Sequence, residues 1–262
     1  YQTLGEWNGV TLSGKQTLFT GARGVYVHTD GFIYICDTEN ARILQCGADG
    51  VVTGIYELPE SLLIPEEFRY RPIKAALDSN GYLYALSNGS YYVAILYSPE
   101  KEFVGFYGAN TVKTGLSDAF AKLWNRLFMN NVKRAATKSR LPYCFVDICI
   151  DDEDFVYTAT GFTNVAQQRG QIKKLNPGGG SNVLGSEGVN FADQSINTTL
   201  NNRAMNQDIL GVAVDENGYI YCLDSTFGRV FLYDSDCRML SAFGGGMGVG
   251  SQKGTFGIAS SL

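Results

Sequence analysis

The stretch from Gly24 to Asp37 reads GVYVHTDGFIYICD and decides the fold. It joins a short apolar segment, a turn rich in Asp and Gly, and a second segment of β-branched and aromatic residues. Asp and Gly tolerate the positive φ angles that tight hairpin turns require, and β-branched and aromatic side chains favour strands. The stretch therefore predicts a β-hairpin, with strands on either side of the turn at His28 to Gly31.

The same pattern occurs three more times, at residues 75–85, 147–158 and 211–224. Each copy carries a tyrosine at the same place in its second strand: Tyr34, Tyr84, Tyr157 and Tyr221. Third and fourth strands follow, as at residues 42–45 and 51–56. A repeated unit of four antiparallel strands is typical of a propeller blade. We therefore predict an all-β chain with blades at about 21–58, 72–108, 144–184 and 209–244.

Two runs that follow the second strand carry a family resemblance. The runs DTENARI at 37–43 and DSTFGRV at 224–230 resemble the D-x-x-N-x-R-I core of NHL repeats, although Phe227 stands where Asn is usual. The second and third copies have Ser87 and Thr160 at the Asp position. The resemblance implies an NHL-type β-propeller. In such a blade Asp37 with Arg42, and Asp224 with Arg229, are expected to be structural pairs across adjacent strands.

The spacing of the tyrosines indicates insertions between the blades. Consecutive tyrosines lie 50, 73 and 64 residues apart (84 − 34, 157 − 84 and 221 − 157), whereas a blade needs about 40 to 50 residues. We treat 1–262 as a single propeller domain that is incomplete at its C-terminus. The expected whole is a six-bladed ring of which four blades are recognisable, and a closed ring of four blades is the alternative.

Residues 111–140 interrupt the β pattern. Apolar residues recur there at helical spacing, and seven basic residues stand against Asp118 alone, which predicts an inserted, basic, amphipathic helix. The favoured interpretation is that its apolar face packs on the propeller; contact with a membrane surface or with a partner protein is the alternative. The candidate partner-binding residues on this helix are Lys122, Trp124, Arg126, Lys133 and Arg134.

This helical insertion, the acidic run at 151–154 and the run QIKKLNP at 171–177 also resemble a group of NHL-repeat proteins from Gram-positive gut bacteria. The resemblance implies an extracellular protein or one tethered to the outer face of the membrane. It implies no established activity.

Several candidate sites have a structural interpretation that we favour. His28 is the one histidine of the chain and stands where the other copies have an Asp of the turn, so we predict a turn-capping role. The propeller lyases that this fold resembles hold zinc with several histidines, which this chain lacks. Asp151 to Asp154 offers four acids, but a solvated hairpin turn is favoured over a calcium site. The six cysteines are read as buried apolar residues rather than as a disulfide framework, which stays the alternative.

The composition excludes one class of partner and leaves a binding function. The net charge is −5, which argues against a general nucleic-acid surface. No catalytic, cofactor or metal residue is predicted. We expect a non-enzymatic scaffold that binds a protein, peptide or glycan ligand outside the cytoplasm. The alternatives are a calcium-dependent propeller hydrolase or lyase, and a membrane-associated structural subunit that uses the basic helix.

Overall fold

The computed structural model describes residues 6–61, 64, 68–88, 94–107, 145–160, 172–177, 198–200, 203–205, 208–245, 254–256, 259 and 261–262. This part of the chain consists of β-strands, turns and one short 3-10 turn at Thr38–Asn40, with no α-helix. Nothing in it has the helical length and apolar character that a membrane crossing requires. The chain forms two compact units, Tyr1–Tyr107 and Gly108–Leu262, and each is described by itself.

Unit 1 contains a hairpin and two four-stranded sheets. The hairpin is formed by β1 (Gly9–Leu12) and β2 (Lys15–Leu18). The first sheet contains β3 (Gly24–Val27), β4 (Ile33–Asp37), β5 (Arg42–Cys46) and β6 (Val52–Glu57). The second contains β7 (Pro72–Leu77), β8 (Leu83–Ser87), β9 (Ala94–Tyr97) and β10 (Phe103–Tyr107). In both sheets the strands are antiparallel and follow chain order.

Unit 2 has a three-stranded sheet, a hairpin and a four-stranded sheet. The first sheet contains β11 (Phe145–Ile150), β12 (Val156–Thr160) and β13 (Ile172–Leu175). The hairpin is formed by β14 (Thr198–Leu200) and β15 (Arg203–Met205). The last sheet contains β16 (Ile209–Val214), β17 (Ile220–Asp224), β18 (Arg229–Tyr233) and β19 (Met239–Gly244). These sheets are also antiparallel and in chain order.

The all-β, antiparallel architecture is therefore confirmed. The inserted helix predicted at 111–140 lies outside the described residues, so it stays a prediction. The four-bladed count and the six-bladed ring also stay predictions, because the third copy has three described strands. The same holds for the single domain 1–262, since the structure presents two units.

The hairpin turns explain where Gly and Asp recur in the sequence. In the first turn of each sheet, the first residue and the residue four positions later pair through the backbone, as in His28 N–H to the Phe32 carbonyl at 3.0 Å. The fourth residue of the turn has a positive φ. It is Gly31, Gly81 or Gly218 in three sheets and Asp154, at φ 64°, in the β11 sheet. The acidic run at 151–154 therefore forms a hairpin turn like the others.

Consecutive sheets pack through their first strands within each unit. In unit 1, β7 packs against β3 and β4, and Tyr56 of the first sheet meets Tyr97 of the second edge-on at 5.4 Å between ring centroids. In unit 2, β16 packs against β11 and β12, where Val212, Cys222 and Phe231 join Tyr157 in one apolar core. Face-to-face packing of consecutive four-stranded sheets is how propeller blades bury their apolar faces.

Candidate functional site

Each sheet has two ends, which we name by what they carry. The turn edge carries the hairpin turn between the first and second strands. The loop edge carries the turn between the second and third strands, together with the connection that leads into the first strand. In unit 1 the described residues of the loop edge are 19–23, 38–41, 58–61, 64 and 68–71; in unit 2 they include Asp208 and residues 225–228. We describe the loop edges first.

A buried carboxylate organises the loop edge of the first sheet. Asp37 ends β4 and has no exposed surface. Its Oδ1 accepts a hydrogen bond from the Thr20 backbone N–H at 2.8 Å. Its Oδ2 accepts from Asn40 Nδ2 at 2.8 Å and from Arg42 Nε and Nη2, both at 2.9 Å. One side chain thus ties the segment before β3, the 3-10 turn and β5 together.

Asp224 plays the same part at the end of β17. It is fully buried and accepts hydrogen bonds from the backbone N–H groups of Asp208 (3.2 Å) and Thr226 (3.1 Å) and from Arg229 Nε (3.0 Å). Burial raises the pKa of its carboxyl, while the Asp208 N–H and the Arg229 charge oppose that rise. The carboxylate is therefore engaged by the fold.

The departure of Phe227 from the repeat pattern has a physical explanation. Asn40, its counterpart in the first sheet, donates to Asp37, which a phenyl ring cannot do. The Phe227 and Phe231 rings each lie 4.6 Å from the Arg229 guanidinium carbon. Cation–π contacts with two rings therefore help to hold Arg229, whereas Asn40 in the first sheet contacts the aspartate of the pair.

Ser87 shows that the residue at the Asp position of the repeat binds the segment that precedes the first strand. Its Oγ accepts a hydrogen bond from the Arg71 N–H at 2.7 Å, just before β7, as Asp37 accepts from Thr20 before β3. At the corresponding place in β12, Thr160 is buried, and its Oγ1 has no hydrogen-bond partner among the residues that the structure describes.

The acids of the turn edge are likewise engaged. Asp78, Asp151 and Asp215 each accept two backbone N–H groups of their own turn through Oδ1. The Oδ2 of Asp215 accepts from the Tyr221 hydroxyl at 3.1 Å, and that of Asp151 lies 3.4 Å from Lys174 Nζ. These carboxylates hold hairpins in shape. Among the described residues, no three His, Cys, Asp or Glu side chains are arranged to hold a metal ion.

His28 lies in the turn between β3 and β4. Its Nδ1 is 3.0 Å from Asp30 Oδ2, and the Asp30 N–H points at the same nitrogen at 3.4 Å. Tyr84 and Tyr221 donate to the first Asp of their turns, whereas Tyr34 accepts a hydrogen bond from Gln45 Nε2 at 3.1 Å. The single imidazole of the chain therefore lies at the turn edge, separated by the length of β3 from the loop edge.

Five cysteines are in no disulfide among the described residues and are buried or half-buried: Cys36, Cys46, Cys149, Cys222 and Cys237. Burial raises the pKa of the Cys46 and Cys237 thiols to about 11 and that of the Cys36 thiol to about 12. A thiol with such a pKa is a poor nucleophile at neutral pH. Cys144 lies outside the described residues.

Among the residues predicted from the sequence, the structure brings Asp37 together with Arg42, and Asp224 with Arg229. The predicted partner-binding residues Lys122, Trp124, Arg126, Lys133 and Arg134 lie outside the described residues.

Contacts between sheets were not anticipated from the sequence. Thr38 Oγ1 donates to the Pro72 carbonyl at 2.7 Å in unit 1. In unit 2 the buried Asp147 Oδ2 accepts from the Val212 N–H at 3.1 Å. The second contact could have been suspected from Asp147, an acidic residue in the otherwise apolar strand β11.

Comparisons with known proteins give a family match over part of the chain and similarities to solved structures. The NHL repeat family model matches residues 19–46, which include β3, β4 and β5. No curated protein matches the chain. Among solved structures, the chain is similar to virginiamycin B lyase from Staphylococcus aureus, with 12% identity over 87% of this chain and 59% of that one and a TM-score of 0.46. It is also similar to apo AztD from Citrobacter koseri, with 16% identity over 87% of this chain and 48% of that one and a TM-score of 0.43. The chain thus spans about half to three-fifths of the length of these proteins.

Proposed function

We propose that this chain is part of an NHL-repeat propeller that binds its ligand without catalysis, through the loop edges of its sheets. The observation that supports this most is that the polar residues recurring in the repeat are already engaged. Asp37 and Asp224 hold the loop edges together, and the turn acids hold the hairpins. What varies between repeats is the length of the connecting segment in the sequence.

Those connections differ in length on a repeated scaffold. In the sequence, the proposed connections between blades comprise residues 57–71, 110–141 and 184–208. Binding residues gather disproportionately in loops that a well-packed framework positions. The proposed ligand is a protein, peptide or glycan, and the proposed location is extracellular or on the outer face of the membrane. We propose six blades for the complete ring, with the helix at 111–140 beside it.

The position of His28 favours binding over acid–base catalysis at the loop edge. His28 is the one histidine of the chain and pairs with Asp30 at the turn edge, so it cannot also serve a reacting group at the loop edge. A general base must lie within hydrogen-bond reach of the proton that it removes. The alternative, a calcium-dependent hydrolase or lyase, would need carboxylates arranged around a metal.

A membrane-associated role of the basic helix is the other alternative. It would use Lys122, Arg126, Lys133 and Arg134 at an anionic surface and Trp124 at the interface. Co-sedimentation with anionic vesicles that weakens with salt would favour this role over ligand binding at the loop edges.

Peptide and glycan arrays probed with the full chain test the proposal. Every ligand found is measured again with a loop-edge variant, Glu39→Lys, and with a matched turn-edge variant, Asp49→Lys. The proposal expects ligands whose binding changes with the first variant and not with the second. It is overturned if ligands depend on the turn edge alone, or if the purified chain contains stoichiometric metal and turns over a lactone or glycosidic substrate.

A further inference from the structure

A row of four residues crosses the first sheet of unit 1 near its turn edge. Tyr26, Tyr34, Gln45 and Gly54 are cross-strand partners on β3, β4, β5 and β6, so they lie on one face. Lys101, in the turn between β9 and β10, reaches this row from the second sheet. A Cβ at Gly54 would lie 2.3 Å from Lys101 Cε, 3.0 Å from its Nζ and 2.5 Å from Gln45 Oε1. The Nζ and Oε1 atoms are therefore at most 5.5 Å apart (3.0 + 2.5), and we call Tyr26, Tyr34, Gln45 and Lys101 the Lys101 site.

The polar side chains of this row are a departure from the other sheets. The corresponding rows are Ala76, Tyr84, Leu96 and Gly105 in the second sheet and Ala213, Tyr221, Leu232 and Ser241 in the last. Their first and third positions are apolar, whereas Tyr26 and Gln45 are polar and half-buried. Gln45 Nε2 donates to the Tyr34 hydroxyl at 3.1 Å, and the Tyr26 and Tyr34 rings lie 6.3 Å apart. Since two other sheets form without these groups, a four-stranded sheet of this repeat does not require them.

Lys101 adopts a backbone conformation that glycine would adopt without strain. Its φ is 68°, and the equivalent residue in the turn between β5 and β6 is Gly50, with φ 77°. In both turns this residue donates its N–H to the carbonyl of the residue three positions earlier, at 2.8 and 3.0 Å. A side chain at positive φ costs stability, and such residues cluster at functional sites. In the last sheet the position is held by Cys237, which packs on the apolar core, whereas the Lys101 side chain ends in a charge.

The Lys101 ammonium group lacks an acceptor. In the part of the chain that the structure describes, its Nζ donates no hydrogen bond and forms no ion pair; it faces the Tyr56 ring, whose centroid is 5.7 Å away. The side chain is half-buried, so the charge has lost part of its hydration. An aromatic ring attracts a cation, but it does not satisfy the three N–H donors of an ammonium group.

Unit 2 shows how such an amine is satisfied. Lys174 holds the third position of the corresponding row in the β11 sheet, and its Nζ lies 3.4 Å from Asp151 Oδ2. In the first sheet His28 stands in the place of Asp151, and the next acid of that turn, Asp30, is held by His28 Nδ1 at 3.0 Å. A carboxylate beside Lys101 would therefore have to come from a ligand.

We propose that the Lys101 site binds a glycan that carries one carboxylate, through a charge-assisted hydrogen bond from Lys101 Nζ. The Gln45 amide has a second N–H group and an oxygen with which to bind a sugar hydroxyl. The half-buried Tyr26 ring offers a flat apolar surface to the sugar ring. The site lies near the turn edge, so this inference goes beyond the proposed function, which concerns the loop edges.

The dimensions and charges of the site favour this ligand class. Tyr26 and Gly54 are separated by three strand spacings, about 14 Å in all, which suits linked sugar residues better than a single small acid. Lys101 supplies one positive charge, and the exposed Glu100 and Glu102 lie on either side of it in sequence. One carboxylate among neutral hydroxyl groups matches this arrangement, whereas a nucleic acid, with its many phosphates, would be repelled.

The test measures the binding of cellobiouronic acid, a disaccharide with one carboxylate, to the full chain by isothermal titration calorimetry. Cellobiose, its uncharged counterpart, and glutamate are the comparison probes, and we expect both to bind at least about tenfold more weakly. Lys101→Met, which removes the charge and keeps the length of the side chain, should weaken binding of the acid to the level of cellobiose. Gln45→Leu should weaken it about fivefold. Lys15→Met, which removes an exposed charge on β2, is the matched control and should leave binding unchanged.

Lys101→Gly gives a second readout that separates binding from folding. Glycine takes a φ of 68° without strain, so this variant should melt at or above the wild-type temperature while it loses the binding. Equal affinity for cellobiose, equal affinity of the Lys101 variants, or no binding overturns the inference. Tighter binding of glutamate also overturns it, in favour of an amino-acid ligand. If cellobiouronic acid fails while array ligands still depend on Glu39, only this inference falls; if it binds at Lys101 while no array ligand depends on Glu39, only the proposed function falls.

Discussion

Gly24 of β3 lies so close to Ile73 of β7 that a Cβ at Gly24 would come within 2.3 Å of the Ile73 carbonyl oxygen and 3.2 Å of Cys36 Sγ. Its φ is not positive, so the glycine is needed for space rather than for backbone conformation. This close approach is what allows the first strands of two consecutive sheets to lie side by side.

We therefore predict that Gly24→Ala lowers the free energy of unfolding by about 1–3 kcal/mol, because the backbone around Ile73 must shift to make room. Chemical denaturation monitored by tyrosine and tryptophan fluorescence measures the loss. Val25→Ala in the same strand is the control: its side chain is 65% exposed, so we expect a change within about 0.5 kcal/mol. Equal effects of the two substitutions would contradict the close approach.

Removal of the Asp37 carboxylate is expected to be more costly. Asp37→Ala leaves Arg42 and Asn40 without their acceptor in a buried site, at a cost of about 3–5 kcal/mol. Because Asp37 and Arg42 act as a pair, Asp37→Ala combined with Arg42→Met should cost less than the sum of the single changes.

Asp236 provides the matched control for this comparison of the single and double variants. It pairs with Arg238 at 3.4 Å, and both side chains are largely exposed. Asp236→Ala should change the free energy of unfolding by less than about 1 kcal/mol. Additive effects at Asp37 and Arg42 would show that the buried pair does not exist in solution.

The acidic turn at 151–154 is predicted not to bind calcium. Asp151 Oδ1 accepts the Glu153 and Phe155 N–H groups at 3.1 and 2.8 Å, and its Oδ2 faces Lys174. Differential scanning fluorimetry in calcium and in chelator should give the same melting temperature. Asp151→Ala should destabilise the chain by about 1–3 kcal/mol in both solutions, because two backbone donors lose their acceptor. A rise of the wild-type melting temperature in calcium that Asp151→Ala abolishes would argue for a metal site.

Because burial raises the pKa of the Cys46 thiol, we predict that the fold loses stability at alkaline pH. In the unfolded chain a thiol ionises near its ordinary pKa of 9.0, whereas the pKa of Cys46 in the fold is about 11. Between these values the unfolded state binds fewer protons, so the contribution of Cys46 is fully present below about pH 9 and is lost as pH rises towards 11. We expect Cys46→Ala to flatten the dependence of unfolding free energy on pH in this range. An unchanged slope, or rapid labelling of Cys46 by a thiol reagent at pH near 8 in the native state, would refute the burial.

The features of the fold that follow from local sequence patterns could be predicted. Alternating apolar residues, the Asp and Gly of the turns and the recurring tyrosines were sufficient for the antiparallel hairpins, and the five-residue spacing of Asp37 and Arg42 indicated their pairing. Contacts between sheets were beyond such reasoning, because neither Thr38 with Pro72 nor Asp147 with Val212 belongs to a pattern within one repeat.

Phe227 is an instructive departure. Read as a pattern, it weakens the match to the repeat, because a ring cannot donate a hydrogen bond to Asp224. In three dimensions it packs on the Arg229 guanidinium together with Phe231. The residue at this position therefore contacts the arginine of the pair in the last sheet, whereas Asn40 contacts the aspartate in the first.

Hydrogen–deuterium exchange of Thr38→Val tests most directly whether consecutive sheets form one packed body. The substitution removes the hydroxyl that binds the Pro72 carbonyl and keeps the volume of the side chain nearly constant. If the sheets are packed as blades, exchange accelerates in β4 and β5 and equally in β8 and β9, across the boundary. Faster exchange confined to the sheet that carries Thr38 would contradict the propeller arrangement on which the proposed function depends.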